Sequence, residues 1–450
     1  MKTIHNRFIF IIACLLTSTP ILANQGGPPW VFADHDFVNP FTGGVAWETS
    51  QNSDVLSMEW AFIGLSDVLP LCSGGFDWSS VDDFLSRVDG RGHQAILRPV
   101  VFGPGYGSGD FAPSDMLTND FLYDSDTYQN PDWAEITVQN CILKFIDAFA
   151  VRYKDDQRIA YIQMGLAGLW GEHHLDGGPY TASSFPSSAF QETMISRYIN
   201  GFGNTQDSLL TALSLDATQA HGFFGSGDTS LDGERFSFFD DSLLIANHND
   251  ALNWRQEVIP TAQLALHKQH GWGGEAFWTG CNSDGSWVTP PHDCGNGESL
   301  DDQALRIGLN YMLGSPAFTS GQFSTAQLLA ASQLMGYKFT ARAAARLDAD
   351  HLAVTVENTG VAHSPYPVTV CTSEGCAGDL SSLAPGEQVV IDVPATESGT
   401  QNLFFNATRL DPLSPLKIRW SNAGANGLNG TLVVEINPAE FIFADGFNHN

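Results

Sequence analysis

Two glutamates sit where an enzyme would place them. Glu172 lies in Gly168-Leu-Trp-Gly-Glu-His-His174, and Glu275 lies in Gly271-Trp-Gly-Gly-Glu-Ala-Phe-Trp278. Each follows a glycine, which lets backbone and ligand approach closely. Each also lies near tryptophans, Trp170 on one side and Trp272 and Trp278 on the other. Indole faces are flat and apolar, as the faces of sugar rings are. Paired carboxylates of this kind are what glycoside hydrolysis requires. One, as the acid, protonates the leaving oxygen, and the other attacks the anomeric carbon or activates water.

Other polar residues surround these two segments. Arg98 is expected near the pair, and His173, His174 and His248 are expected to bind substrate hydroxyls. Glu59 is a further candidate for substrate binding, as an inward-facing polar residue near a strand start. His173 and His174 are adjacent, so on a regular strand they point opposite ways and make an awkward metal pair. A rival reading converges Glu172, His174 and Asp176 on a cation with His248 or His267. No CxxC pair or Cys/His spacing suggests zinc, and no EF-hand loop is complete. The expectation is therefore no metal and no cofactor.

These residues need a scaffold. Strand-like and helix-like segments alternate from about residue 44 to 335. Val55–Leu65, Gln94–Phe102, Arg158–Leu169, Ser208–Leu215, Ser242–Asn247 and Gln263–His267 read as strands. Asp77 opens a helix with Val81, Phe84, Leu85 and Val88 on one face. Asn130-Pro131 reads as a helix cap and first-turn proline. Ser188 with Gln191, and Ser324 with Gln327, read as capping boxes, and Ser299 opens another helix. Such alternation implies a parallel sheet, and the number of units favours a (β/α)8 barrel. Neither a GxGxxG nor a GxxxxGK[ST] is present, which removes the main support for a nucleotide-binding fold. In a parallel barrel the site forms where strands end. Glu172 and Glu275 are both placed there.

From Tyr337 onward the pattern changes to short alternating strands, among them His351–Val356, Val368–Val370 and Gln388–Val393. This reads as a β-sandwich of seven or eight strands over residues 336–436, after a barrel over 24–335 and before a tail at 437–450. Only Trp420 is available there as an indole platform, so its expected role is structural.

The N-terminus reads as an export signal. Lys2 and Arg7 precede the apolar run Phe8–Leu16, Pro20 breaks it, and cleavage is expected after Ala23. Ile12-Ala13-Cys14 loosely resembles a lipoprotein box, a rival reading. No other segment is apolar enough to span a membrane. Lys plus Arg number 20 against 50 Asp plus Glu, a formal charge of −30. That balance excludes a nucleic-acid partner, which needs a basic face. Six cysteines remain after cleavage and allow fifteen pairings. Local pairs, Cys281 with Cys294 and Cys371 with Cys376, are the simplest, leaving Cys72 and Cys141.

A resemblance joins several of these pieces. Asn39-Pro40, Gly43-Gly44, Glu59-Trp60, Arg98-Pro99, Arg158–Gly165, Gly168–His174, Gly273–Glu275 and Asn358-Thr-Gly-Val-Ala362 occur in an order that resembles a bacterial family known only as a domain of unknown function. That family combines a glycosidase-like barrel with a C-terminal β-sandwich. More distantly, the chain is similar to the clan of retaining barrel glycosidases. The clan places its acid after strand 4, its nucleophile after strand 7 and an arginine after strand 2. The resemblance thus implies Glu172 as acid/base and Glu275 as nucleophile, kept ionised by Arg98. The strand count read above puts Glu172 after strand 3 and Glu275 after strand 6. Either Gly43–Glu48 is the first strand, or one lies in Gly103–Asn130, or the clan is wrong. Gly171 also stands where the clan carries asparagine. Three functions compete: a glycoside hydrolase acting on an extracellular carbohydrate, a carbohydrate-binding protein on the same scaffold, and a metal-dependent hydrolase.

Overall fold

The computed structural model describes residues 36–48, 55–175, 180–216, 233–244, 269–277, 281, 284–294, 299–396, 399–413, 415–422 and 431–436. Its first unit is a closed parallel barrel of eight strands. In chain order these are β1 (Gly43–Trp47), β2 (Met58–Gly64), β3 (Gln94–Val100), β6 (Ile159–Gln163), β7 (Leu210–Ser214), β8 (Ser237–Leu243), β9 (Trp272–Ala276) and β10 (Leu309–Leu313). A hairpin of β4 (Thr118–Tyr123) and β5 (Asp126–Pro131) leaves the barrel between β3 and β6.

The barrel strands are short apolar runs buried on both faces, as a parallel sheet covered by helices requires. All seven residues of β3 are buried, as are all five of β6, β7 and β10. Helices fill the outer ring. α1 (Leu65–Val68) follows β2, and α2 (Ser79–Gly90) buries Val81, Phe84, Leu85 and Val88. Their i, i+3, i+4, i+7 spacing makes a single apolar stripe. α3 (Ile136–Tyr153) and α4 (Ser188–Phe202) pack against each other through residues such as Phe149 and Phe202, rings 5.4 Å apart. The Ser299 cap and the Ser324–Gln327 capping box form as expected.

The strand count resolves in favour of the first alternative. Gly43–Trp47 is indeed a strand, paired with Met58–Trp60. Glu172 therefore follows the fourth barrel strand and Glu275 lies in the seventh. The same shift moves Arg98 onto the third strand, one beyond the place the clan implies.

Other local expectations shift. Asn130-Pro131 ends β5 rather than capping a helix, because Asn130 bonds Ser184 O and Trp133 Nε1, and α3 begins at Ile136. The α4 cap is Ser187, whose hydroxyl accepts from Phe190 N, and Ser188 is the first helical residue. The sixth barrel strand is Ser237–Leu243, earlier than Ser242–Asn247. Gln263–His267 lies outside the described residues. The seventh strand is Trp272–Ala276, a run that reads as a glycine turn. Glycine is required there because a Cβ on Gly273 would meet the Tyr311 ring at 1.8 Å.

The C-terminal strands form two antiparallel sheets. One holds β11 (Phe339–Arg346), β12 (His351–Asn358) and β15 (Gln388–Pro394), and the other β13 (Val368–Cys371), β14 (Cys376–Ala377), β16 (Gly399–Ala407) and β17 (Leu432–Ile436). Their inward residues share one core with the barrel interior, from Val354 and Trp420 through Tyr366 to Tyr161 and Ile96. The contact is at the barrel's N-terminal end. Tyr366 Oη accepts from Leu210 N and donates to Ala160 O, while Arg409 donates to Lys154 O and Asp156 O. These sheets close the end of the barrel opposite to Glu172 and Glu275. Cys72–Cys141, Cys281–Cys294 and Cys371–Cys376 are disulfides, so both local pairs form and the remaining two cysteines join across 69 residues. No helix among the described residues is long and apolar enough to cross a membrane.

Candidate active site

The centre of the site is Arg98. Its side chain is fully buried near the C-terminal end of β3. Nη1 donates to Glu172 Oε1 at 2.6 Å, Nη2 to Glu275 Oε1 at 2.5 Å, and Nε to Gln163 Oε1 at 2.7 Å. One guanidinium thus bridges both glutamates, using its fork of donors. Phe239 and Trp60 face it at 4.5 and 5.0 Å, so the cation rests between aromatic rings. Burial opposes its charge, but attraction to Glu275 and Glu172 outweighs that and raises its pKa.

Gln163 aligns the arginine. Its oxygen also accepts from Trp60 Nε1 at 2.9 Å, and its amide donates to Tyr311 Oη at 3.1 Å. Every polar atom of the Gln163 amide thus has a partner, and the guanidinium plane is fixed from behind.

The loop carrying Glu172 is tightly folded. Leu166, Gly168, Trp170, Gly171 and His173 all have positive φ. Gly171 has φ +71°, and a Cβ there would sit 2.9 Å from Pro99 O and 3.0 Å from Gly165 Cα. Only glycine fits, which explains the absence of the clan's asparagine. A small apolar cluster of Phe102, Phe121, Leu169, Leu175 and Phe185 lies under this loop, partly supplied by the β4–β5 hairpin. Ser214 Oγ donates to Glu172 O at 2.8 Å and ties the loop to β7. Left-handed residues held by surrounding packing cluster at functional sites.

His174 stands beside Glu172. Its Nε2 is 3.2 Å from Glu172 Oε2, 3.5 Å from Asp241 Oδ2 and 4.0 Å from Asp216 Oδ2. Burial disfavours its charge, yet bonds to Asp241 and Glu172 and the nearby Asp216 prevail and hold its pKa well above the usual imidazole range. Ligand atoms of Glu172, His174 and Asp241 lie within 4.8 Å of one another, the grouping among the described residues that could hold a cation. Burial pushes Glu275 up to about 7, with Arg98 pulling down and Glu172 pushing up.

The remaining candidates separate. Trp170 lies beside the site, its Nε1 donating to Pro104 O at 2.8 Å and its ring 6.1 Å from His174. His173 is turned into the core, with Nε2 at 2.9 Å from Met164 O, and burial lowers its pKa to about 4. Trp272 is wholly buried against Phe238, on the outer face of β9. Glu59 is three residues short of the Arg98 level in β2, fully buried, and bound by Arg91 and His93. It stabilises the far end of the barrel, because a buried carboxylate needs such partners. Trp278 and His248 lie outside the described residues, as do Asp176 and His267.

Sequence reasoning missed Gln163, Asp216, Asp241 and an aromatic wall. Trp47, at the end of β1, has ring centroids 5.1 Å from Trp60, 5.2 Å from Tyr106 and 5.7 Å from Phe62. The available signals were the doubled Asp240-Asp241 after an apolar run and a tryptophan at a strand end.

No protein-family model matches the chain, and no curated protein matches it. Solved structures similar to it include an endo-glycoceramidase II from a Rhodococcus species, 12% identical over 82% of this chain and 100% of that one, TM-score 0.41. A family 39 glycoside hydrolase from Bacteroides cellulosilyticus WH2 is 9% identical over 78% of this chain and 81% of that one, TM-score 0.38. The catalytic domain of a β-amylase from Paenibacillus polymyxa is 11% identical over 67% of this chain and 99% of that one, TM-score 0.36.

Proposed function

We propose that the chain is an exported glycoside hydrolase that cleaves an extracellular poly- or oligosaccharide with Glu172 and Glu275. The observation that carries this is the bridge made by Arg98. Two glutamates from the fourth and seventh strands of a parallel barrel share one buried guanidinium at the end where such barrels build their sites. Two carboxyls so close cannot both ionise freely, and unlike protonation is what acid and nucleophile need. Retaining pairs stand about 5–5.5 Å apart and inverting pairs about 6.5–9.5 Å. Oxygens held on the two Nη atoms of one guanidinium, at 2.6 and 2.5 Å, favour the shorter spacing and hence retention.

Trp47 and Tyr106, both half-buried at the mouth, supply ring faces for a sugar. Three disulfides favour an oxidising compartment and agree with removal of residues 1–23. The C-terminal sheets act as a structural sandwich that closes the barrel's far end.

The test is a screen of the purified protein against polysaccharides and aryl glycosides, with reducing ends and aglycone release as readouts. Hydrolysis of at least one member is expected. Binding to a polysaccharide without turnover on any substrate would favour a carbohydrate-binding protein instead.

A further inference from the structure

The aromatic wall at the barrel mouth carries a carboxylate that hydrolysis by Glu172 and Glu275 leaves unused. Trp47, Phe62 and Tyr106 are each half-buried, and the Phe62 ring lies 5.7 Å from Trp47 and 4.8 Å from Tyr106, centroid to centroid. Phe62 also faces the Arg98 guanidinium at 5.8 Å, so the wall adjoins the group that bridges the two glutamates. Phe111 extends the wall beyond Tyr106, rings 5.8 Å apart. Gly64 follows Phe62 by two residues on β2, so both point to the same side of the sheet. A Cβ on Gly64 would meet Asp67 Oδ2 at 2.3 Å and Phe111 Cδ1 at 2.5 Å. The Asp67 carboxyl therefore stands on the same side as the Phe62 ring, next to the wall.

Backbone bonds fix this arrangement. Ser66 N donates to Phe111 O at 2.8 Å, and Gly103 N, Tyr106 N and Gly109 N all donate within the turn that carries Tyr106. Among the described residues, Asp67 has neither a hydrogen-bond donor nor a cation against it. The residue stays open to solvent, while partial burial of its carboxyl disfavours the charged form and pushes its pKa up. A carboxylate without a protein partner, set beside ring faces, attracts a ligand cation. The chain as a whole, at −30, repels polyanions and draws cations toward it.

We propose that Trp47, Phe62, Tyr106 and Asp67 form a subsite for an amino sugar, with its ring stacked on the wall and its protonated amine against Asp67. This rests on the glycosidase reading, in that the bound sugar belongs to the same glycan as the bond that Glu172 and Glu275 cleave. The substrate class is then a glycan with free amines. An N-acetylated unit lacks the charge, and a uronic acid meets repulsion. A neutral unit keeps the stacking and loses the ion pair.

Calorimetric titration of the mature protein at about pH 5.5 reads the subsite directly. The probes are glucosamine, galactosamine and mannosamine, each beside its neutral parent sugar and its N-acetyl derivative. At least one amine is expected to bind about tenfold more tightly than its parent, the combined effect of a partly screened ion pair and a cation on ring faces. Raising sodium chloride from about 50 to 500 mM should shrink that preference by screening. Asp67→Asn should abolish it. Asp155→Asn, the same charge change in the turn between α3 and β6 at the other end of the barrel, should not. Tyr106→Ala should weaken the amine and its parent together, because both use the ring face. The proposal is overturned if no amine binds more tightly than its parent, if Asp67→Asn keeps the preference, if Asp155→Asn loses it, or if Tyr106→Ala binds as the parent protein does. The two readings fail separately. Absence of turnover on every glycoside, with the amine preference intact, rejects hydrolysis, and turnover of neutral glycans without an amine preference rejects the subsite.

Discussion

Replacing Glu275 with glutamine removes a carboxyl whose charged form the fold disfavours, while keeping its shape and much of its hydrogen bonding. Burial raises this group from 4.5 to about 7, a difference of 2.5 pH units. At about 1.4 kcal/mol per unit, that is at most roughly 3–4 kcal/mol. No discount for solvent is needed, since the side chain is 16% exposed. The sign follows from linkage. A carboxyl with a raised folded-state pKa contributes its full stability below the unfolded value, near pH 4.5, and loses it as pH rises through about 7. Glutamine mimics the protonated form at every pH. Glu275→Gln should therefore match the parent in stability at pH 4 and exceed it by up to roughly 3–4 kcal/mol at pH 8–9. Differential scanning calorimetry of both proteins across pH 4–9 gives the difference. A variant less stable than the parent at pH 8, or a gap that does not change with pH, would refute the reasoning.

Three further outcomes follow from the same geometry. Arg98→Lys replaces a fork that serves three acceptors with a point charge; it should destabilise the fold by roughly 3–5 kcal/mol, measured by chemical denaturation, because buried carboxylates lose their partner. Gly171→Ala forces a Cβ to within 2.9 Å of Pro99 O at a positive φ; it should cost about 1–3 kcal/mol, displace Glu172 and lower kcat with the far-ultraviolet circular dichroism unchanged. Tyr366→Phe removes the hydroxyl shared by Leu210 N and Ala160 O; a loss of roughly 1–3 kcal/mol with unaltered activity would mark the C-terminal sheets as a structural closure.

The barrel was legible because its strands are apolar on both faces and its helices carry a single stripe, as in α2. Three barrel strands were not read outright, for physical reasons. Gly43–Trp47 begins with two glycines, and Trp272–Ala276 contains two, where neighbouring side chains approach too closely for a Cβ. Leu309–Leu313 follows at once on the helix that ends at the left-handed Gly308, so no loop separates the two in the sequence. Glu172, Glu275 and Arg98 stood out as candidates because each is at or beside a strand end with glycine or proline next to it. Their mutual distances were not legible, since one buried arginine reaching both glutamates depends on barrel closure. The expected tryptophans separate. Trp170 lies beside the site, whereas alternation along β9 that brings Glu275 to Arg98 sends Trp272 outward to Phe238. Asp241 was hidden in a strand placed several residues too late, and Gln163 sat unassigned in a segment already quoted for its resemblance. His173 and Glu59 are polar and suggestive in sequence, but only packing shows that His173 turns toward Met164 O and Glu59 toward Arg91.

The central claim is that Glu172 and Glu275 act together on a glycosidic bond. The most direct measurement is kcat on the best substrate from the glycoside screen, for the parent, Glu172→Gln and Glu275→Gln, with circular dichroism confirming the fold. Each substitution is expected to lower kcat by on the order of 10²–10⁴-fold. Turnover by either variant at the parent rate would contradict the account.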